Sequence, residues 1–332
     1  MSLPAGILNY RHVGEVFDTA SKYIGMYRSG ELVPLKTRIN TEGTMIGGLI
    51  PEDMLVLAGR SGTGKTSRLN DMFIDFFDEK LNPSYKDKLM VFYDSWEMSD
   101  YKNVLKMISA KKTLDIKQIL SYKEMLLEEH FEAIKAMKKD FAGMPLYIGE
   151  EIYSPKRWLK KRQELKKLYP NHTLIHAGDH TRFAMADEEK SEQEKLSNLM
   201  LACVKHKKAS GDMVIWLTQM NRNIETGVDR KDLGKSSPIA SDIFGSDAVM
   251  QNADLVLALS RPGMYGVETW NGYKTGFAKD GSTKDHLVVG TVIKNRMGDL
   301  GDYLYKHELK YNRFRSYTAN EIAELRVKKE AA

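Results

Sequence analysis

The sequence predicts an α/β fold in which a mainly parallel, twisted sheet is flanked by helices and closed by an antiparallel hairpin. Three observations carry it. Apolar runs of strand length at 54–58, 88–94, 172–179, 213–218 and 253–260 are separated by helix-like or helix-containing stretches, the alternation that builds parallel sheets. A glycine-rich loop joins the first run to an amphipathic helical pattern. The last two runs, 286–294 and 303–311, follow one another across "NRMGDLGD" as the arms of a hairpin do.

Length and composition admit this fold and remove several classes. At 332 residues the chain can bury one large core or two modest domains. With 42% hydrophobic and 29% charged residues it has the balance of a globular protein, not of a fibre or a disordered chain. No stretch approaches 18 apolar residues, and "MSLPAGILNYRH" lacks a basic region followed by a long apolar core. Neither a membrane span nor a secretory signal is therefore expected, and the cytoplasm is the expected compartment. Cys203 is the single cysteine and sits in apolar "LMLACV", the setting of a buried, inert thiol. A net charge of +5 permits an acidic polymer as partner without requiring one. The strongest basic run, 156–167, carries Trp158, Leu159 and Leu165, with Leu168 just after it, at helical spacing, which favours the solvated face of a packed helix over a nucleic-acid patch.

In chain order, 13–31 reads as a helix stopped by Gly30, and 32–51 as an extended arm with turn signals. "MLVLA" (54–58) is a buried strand, and "TSRLNDMFIDFF" (66–77) is an amphipathic helix. Between them "LAGRSGTGKTSR" has the spacing Gly59-x-x-x-x-Gly64-Lys65-Thr66. Glycines there let backbone N–H groups close on an anion at a helix N-terminus, Lys65 reaches β/γ phosphates, and the Thr66 hydroxyl holds Mg²⁺. Gly59, Ser61, Gly62, Thr63, Gly64, Lys65, Thr66 and Ser67 form the candidate nucleotide-binding set, with ATP and Mg²⁺ as the expected cofactors. Residues 264–285 are a Gly-rich excursion, a loop or hairpin. The expected division is helix and arm at 1–40, the main domain at 41–320 and a charged tail at 321–332.

Three further strand ends carry suitable chemistry. Glu97 follows 88–94, where a carboxylate can polarise a water attacking the γ-phosphate. Asp179 ends 172–179 and can hold Mg²⁺ through water; Gln219 follows 213–218, where an amide can bond a γ-phosphate or a water. Taken singly, each also fits a helix-terminal acid, a turn residue or a strand-end polar group. Together they occupy the crevice at the C-terminal ends of the strands, where α/β sheets bind ligands.

With "IGGLIPEDMLVLAGRSGTGKT", "VFYDSWEMS", "LIHAGD", "VIWLTQMNR", "SDIFGSDAVMQNADLVLAL" and "VIKNRMGD" in this order, the chain resembles the RecA-type motor domain of superfamily 4, the DnaB-like replicative helicases, from about Val13 to Tyr317. The resemblance implies a RecA-like P-loop NTPase core and an ATP-dependent DNA helicase that forms a hexameric ring on single-stranded DNA. It makes Glu97 the catalytic carboxylate, Asp179 the second metal-associated acid and Gln219 the γ-phosphate sensor. It also implies that residues 13–31 are a linker helix packing on a neighbouring subunit, and that Lys294 and Arg296 reach the neighbour's γ-phosphate. The implied setting is bacterial cytoplasm, or host cytoplasm for a phage-encoded chain.

The chain also departs from that pattern. Only about 40 residues precede the motor domain, so the family's N-terminal collar is expected to be missing and primase contact by that route is not expected. A replication partner of another kind stays open. Where the family places an Arg on the DNA backbone this chain has Phe244, free to stack on bases or to pack beneath its loop. Arg182, Arg222, Arg230, Lys231 and Lys235 cluster in turn-rich sequence after two strand ends and are the candidate DNA-binding cations. His176 and Gly178 replace branched apolar residues before Asp179; His176 is expected to be a core residue, because no Cys or carboxylate lies at metal-binding spacing around it. A RecA- or KaiC-like recombinase or DNA-binding ATPase without unwinding, or an accessory replication ATPase, is the alternative reading.

Overall fold

The computed structural model describes residues 11–39, 48–122, 124–187, 189, 191–221, 224, 237–277 and 286–327. Helix α1 (Val13–Ser29) stands first and ends as expected at Gly30, whose φ of 75° is the left-handed cap that glycine adopts without strain. Then come β1 (Met54–Gly59), α2 (Lys65–Phe76), β2 (Leu89–Ser95), α3 (Asp100–Lys112), the short helices α4 (Ile116–Ile119), α5 (Glu128–Ala136) and α6 (Lys138–Ala142), and β3 (Leu146–Gly149). Next are α7 (Pro155–Leu168), β4 (Thr173–Asp179), α8 (Glu192–Ser210), β5 (Met213–Gln219), α9 (Ser246–Asn252) and β6 (Leu255–Ser260). A small hairpin β7–β8 (Thr269–Trp270, Tyr273–Lys274) precedes β9 (His286–Asn295), β10 (Gly301–Glu308), β11 (Arg313–Ser316) and α10 (Ala319–Leu325), which spans the expected boundary at 320.

The nine-stranded sheet runs β11-β10-β9-β6-β1-β5-β4-β2-β3. From β6 to β3 every neighbour is parallel, and β9, β10 and β11 add antiparallel strands, so the expected parallel core and closing hairpin are both present. Strand β1 is central and buried along its length. Its side chains alternate between two cores: Leu55 and Leu57 join α2 and α3 residues such as Phe73 and Met107, and Met54, Val56 and Ala58 join Trp158, Leu199 and Val249 from α7, α8 and α9. This period of two on a strand with both faces covered is why it reads as one continuous apolar run.

Two strands exceed the sequence reading. β3 and β11 are four residues each and lie at the two sheet edges, where a strand needs little apolar signal of its own. The helix expected at 66–77 is present, but its polar face is not solvated. Asp75 accepts from the Arg38 backbone N–H at 2.8 Å, and Asp71 accepts from the Phe314 N–H at 2.7 Å, so the arm and β11 cover that face. The basic run becomes α7, and two of its charges are structural: Arg162 is buried against Asp94, and Lys166 donates to Asp212 at 2.9 Å.

Candidate nucleotide site

Pairing of β1 with β5 and β6 brings the C-terminal ends of the parallel strands to one edge of the sheet, with the phosphate loop between them. Its glycines have specific reasons. Gly62 and Gly64 take φ of 80° and 94°, and a Cβ on Gly64 would lie 2.7 Å from His307 and Phe314. A Cβ on Gly59 would lie 2.6 Å from the Thr63 hydroxyl, which donates to the Arg60 carbonyl at 2.8 Å. Lys65 Nζ donates to the Gly59 and Arg60 carbonyls at 2.9 and 3.1 Å, and burial lowers its pKa against the pull of Asp179 and Glu97.

A cleft of about 300 Å³ opens beside the loop, lined among others by Lys65, Thr66, Glu97, Lys106 and Gln219. Thus the loop, the carboxylate after β2 and the amide ending β5 converge as the sequence expects. The Thr66 hydroxyl donates to Asp179 Oδ2 at 2.7 Å. Asp179 is buried, its Oδ1 has no protein partner, and burial, opposed by the Thr66 bond and reinforced by Glu97, pushes its carboxyl up to about 6. An orphaned buried carboxylate oxygen beside a hydroxyl is a donor set that suits a hydrated Mg²⁺. The Trp96 and Glu97 backbone N–H groups donate to the Asp179 carbonyl at 2.9 and 3.1 Å, fixing the two acids relative to one another.

Other residues here were not singled out in the sequence. Lys106, on α3, faces the same two acids; burial lowers its pKa, and Asp179 and Glu97 raise it. It lies nine residues beyond Glu97 on the helix that Glu97 precedes, so only the assumption that the helix runs along the cleft could have found it. Arg261, just past β6, donates to the Gly62 carbonyl at 2.6 Å and braces the phosphate loop. His307, Leu309 and Asn312 bring the C-terminal hairpin over the cleft.

The remaining expected residues lie elsewhere. Lys294 donates to the Met250 carbonyl and Arg296 to the Gln251 carbonyl at 3.0 Å, both at the end of α9. Val256 pairs with Lys294, which puts these cations at the opposite end of β6 from the phosphate loop. At about 3.3 Å per strand residue, the four steps from Val256 to Ser260 span roughly 13 Å, beyond the reach of either side chain. Arg182 donates to Gln219 Oε1 at 3.3 Å, pairs with Glu192 at 3.1 Å and lies 4.8 Å from the Phe244 ring. Phe244 packs against the second core beneath that guanidinium. Arg222, Arg230, Lys231 and Lys235 lie outside the described residues.

His176 is in the core as expected, but the stated reason fails, because the fold supplies a carboxylate that sequence spacing does not. His176, His206 and Asp212 bring ligand-type atoms within 4.8 Å of one another. Asp212 Oδ2 is 3.1 Å from His206 and 3.5 Å from His176, and Oδ1 takes Lys166. Burial pushes His176 down to about 3, so its ring is neutral; burial also opposes Asp212 ionisation, but bonds from His176, His206 and Lys166 hold it below the usual carboxylate range. A divalent cation there would sit beside Lys166 with one carboxylate to balance it, so we describe a polar node rather than a metal centre. Cys203 is buried, receives Trp216 Nε1 at 3.1 Å, and has its thiol pushed up to about 12, an inert state.

The family model for the DnaB-like helicase C terminal domain matches residues 35–316. The chain is 23% identical over 275 residues to a probable replicative DNA helicase of Trieres chinensis, covering 81% of this chain and 54% of that protein. It is 22% identical over 294 residues to the replicative DNA helicase DnaB of Geobacillus stearothermophilus, covering 86% and 57%. The chain spans about half the length of these curated relatives. Among solved structures, an ATPase domain superposes with a TM-score of 0.76 at 18% identity, covering 93% of this chain and 100% of that one. A DnaB-like replicative helicase, described with its interactions with primase, superposes with a TM-score of 0.74 at 18% identity over 93% and 68%. The shared fold is the RecA-like ATPase domain.

Proposed function

The chain belongs to the DnaB-like helicase C-terminal domain family, and on that premise we propose that it is an ATP-driven helicase motor on single-stranded DNA, working as a hexameric ring. One observation supports this reading above others: the cleft holds a phosphate loop, Glu97 and an amide sensor, with Asp179 bonded to Thr66 at its wall, while Lys294 and Arg296 lie at the far end of the sheet. A motor whose hydrolysis depends on assembly has this division, since the missing cations arrive from the next copy. The apolar residues Val13, Phe17 and Ile24 of α1 are exposed, as a helix that packs on a neighbour requires.

In this reading Lys65 opposes the β/γ phosphate charge, Glu97 accepts the proton of the attacking water, and Gln219 hydrogen-bonds the terminal phosphate. When bound, Mg²⁺ would be held by Thr66 and, through water, by Asp179, and would neutralise phosphate charge. Arg182, with Arg222, Arg230, Lys231 and Lys235, supplies the contacts to DNA phosphates. We place the activity in the cytoplasm, bacterial or of an infected host, with a replication protein as partner. A DNA-stimulated ATPase that does not unwind is the second reading, favoured by Phe244 standing beneath Arg182 at the DNA loop.

The test is ATP turnover with and without single-stranded DNA, beside unwinding of a forked duplex. Stimulation with unwinding supports the motor, stimulation without unwinding supports the second reading, and turnover indifferent to DNA overturns both. DNA affinity should fall steeply with salt as phosphate contacts release counterions.

A further inference from the structure

Three side chains between the cleft and the loop at 240–245 are one hydrogen-bond acceptor short. His180 follows Asp179, is 3% exposed, and caps the turn Thr181–Phe183. The Arg182 backbone N–H points at its Nδ1 at 3.3 Å, so Nδ1 is the bare nitrogen and Nε2 carries the proton. That Nε2 lies 3.1 Å from Gln219 Nε2 and 3.6 Å from Glu97 Oε2. On the other side of the amide, Arg182 Nη1 stands 3.3 Å from Gln219 Oε1.

An amide has one oxygen, and two donors converge on it. With the oxygen toward Arg182, the Gln219 NH₂ meets the His180 N–H, donor against donor. Turned over, the amide accepts from His180 and opposes Arg182 instead. An anionic oxygen in the cleft removes the conflict: it takes the Gln219 NH₂, leaves the amide oxygen to His180, and detaches Arg182 from the amide while its pair with Glu192 remains. Arg182 already touches Phe244, and the Phe244 N–H donates to the Gln219 carbonyl at 3.0 Å, so the loop is tied to Gln219 through both side chain and backbone.

We infer that His180 is a positioning residue that couples a terminal phosphate in the cleft to the DNA-facing loop, by holding the Gln219 amide and deciding whether Arg182 is bound to Gln219 or, still paired with Glu192, can turn a donor to a nucleic-acid phosphate. This rests on the motor reading above. Coupling between two ligands is reciprocal, so it is measurable as a change in DNA affinity.

The experiment measures single-stranded DNA affinity by fluorescence anisotropy, with and without a non-hydrolysable ATP analogue and Mg²⁺. In the unaltered protein the analogue should tighten DNA binding by about tenfold, within the usual range of such couplings. His180→Phe keeps a ring against Phe183, whose centroid lies 4.7 Å away, but has no donor; its ratio should fall to about one or two while it still binds the analogue. His180→Gln carries an N–H to the same place and should restore the coupling. Unaltered coupling in His180→Phe overturns the inference, as does equal loss in both variants accompanied by a lower melting temperature. An unaltered protein that binds DNA without responding to the analogue overturns it too and leaves the motor reading standing; one that neither binds DNA nor is stimulated by it removes that reading itself.

Discussion

Replacing Asp179 with Asn should make the nucleotide-free protein more stable while removing its response to Mg²⁺ and ATP. Asp179 is 1% exposed, and burial, opposed by the Thr66 hydroxyl and reinforced by Glu97, raises its carboxyl from 3.8 to about 6. Because the folded value lies above the unfolded one, the native state holds the proton more tightly. Stability is therefore lost as pH rises from about 4 to about 6, and the whole penalty is present above that window. About two units correspond to about 3 kcal/mol. An unfolding entropy of about 2.1 cal/mol/K per residue over 332 residues gives about 0.7 kcal/mol/K, so relieving this charge should raise Tm by about 4 °C at pH 7.5. Asn has nearly the same shape, and its carbonyl still accepts from Thr66. Thermal melts in EDTA across pH 4.5 to 8 should show the advantage opening as pH rises, and adding Mg²⁺ with an ATP analogue should then stabilise the wild type and not the variant. A variant no more stable than wild type at pH 7.5, or one with the same advantage at pH 4.5, would refute the argument that a buried, ionised Asp179 strains the empty cleft.

Three further outcomes follow from the same geometry. Lys65→Ala should lose ATP binding by at least about a hundredfold while melting near wild type, since a charge-assisted phosphate contact goes with it; near-normal affinity in a fluorescent-nucleotide titration would remove Lys65 from the site. Glu97→Gln should bind ATP and turn over about a hundredfold or more slowly, because it keeps its hydrogen bonds but cannot accept a proton; wild-type turnover would move the base elsewhere. Arg296→Ala should bind ATP and hydrolyse it poorly, yet recover part of its activity when co-assembled with Lys65→Ala, since each copy supplies what the other lacks; co-assembled mixtures with no recovery would argue against a shared site.

Which parts of this fold were legible in the sequence depends on how local their cause is. The phosphate loop was legible because the constraints that define its motif act within ten residues: two left-handed glycines, a lysine that folds back on the loop and a helix that starts at Lys65. The parallel strands were legible to within a residue or two, since a parallel strand buried on both faces reads as an apolar run whatever it packs on, whereas the antiparallel strand expected at 303–311 ends at Glu308. The edge strands β3 and β11 were not legible, because no residue of β3 and one of β11 is fully buried. The site was half legible for the same reason. Asp179 and Gln219 each end a strand and Glu97 follows one by two residues, whereas Lys106, Arg261 and His180 act through register and helix direction, which no short window contains. The apparent weakness of the strand before Asp179 shows the difference most sharply. Gly178 reads there as a lost side chain, yet a Cβ on it would lie 2.0 Å from the Trp216 ring, which packs between Trp96 and Trp158 from two other elements. His176 reads as a misplaced polar residue, yet it faces an Asp212 that only the pairing of β4 with β5 brings near. Both substitutions answer to neighbours distant in sequence, so the strand that departs furthest from its pattern is the one whose partners most fully specify it, and it is the strand that delivers Asp179 and His180 to the cleft.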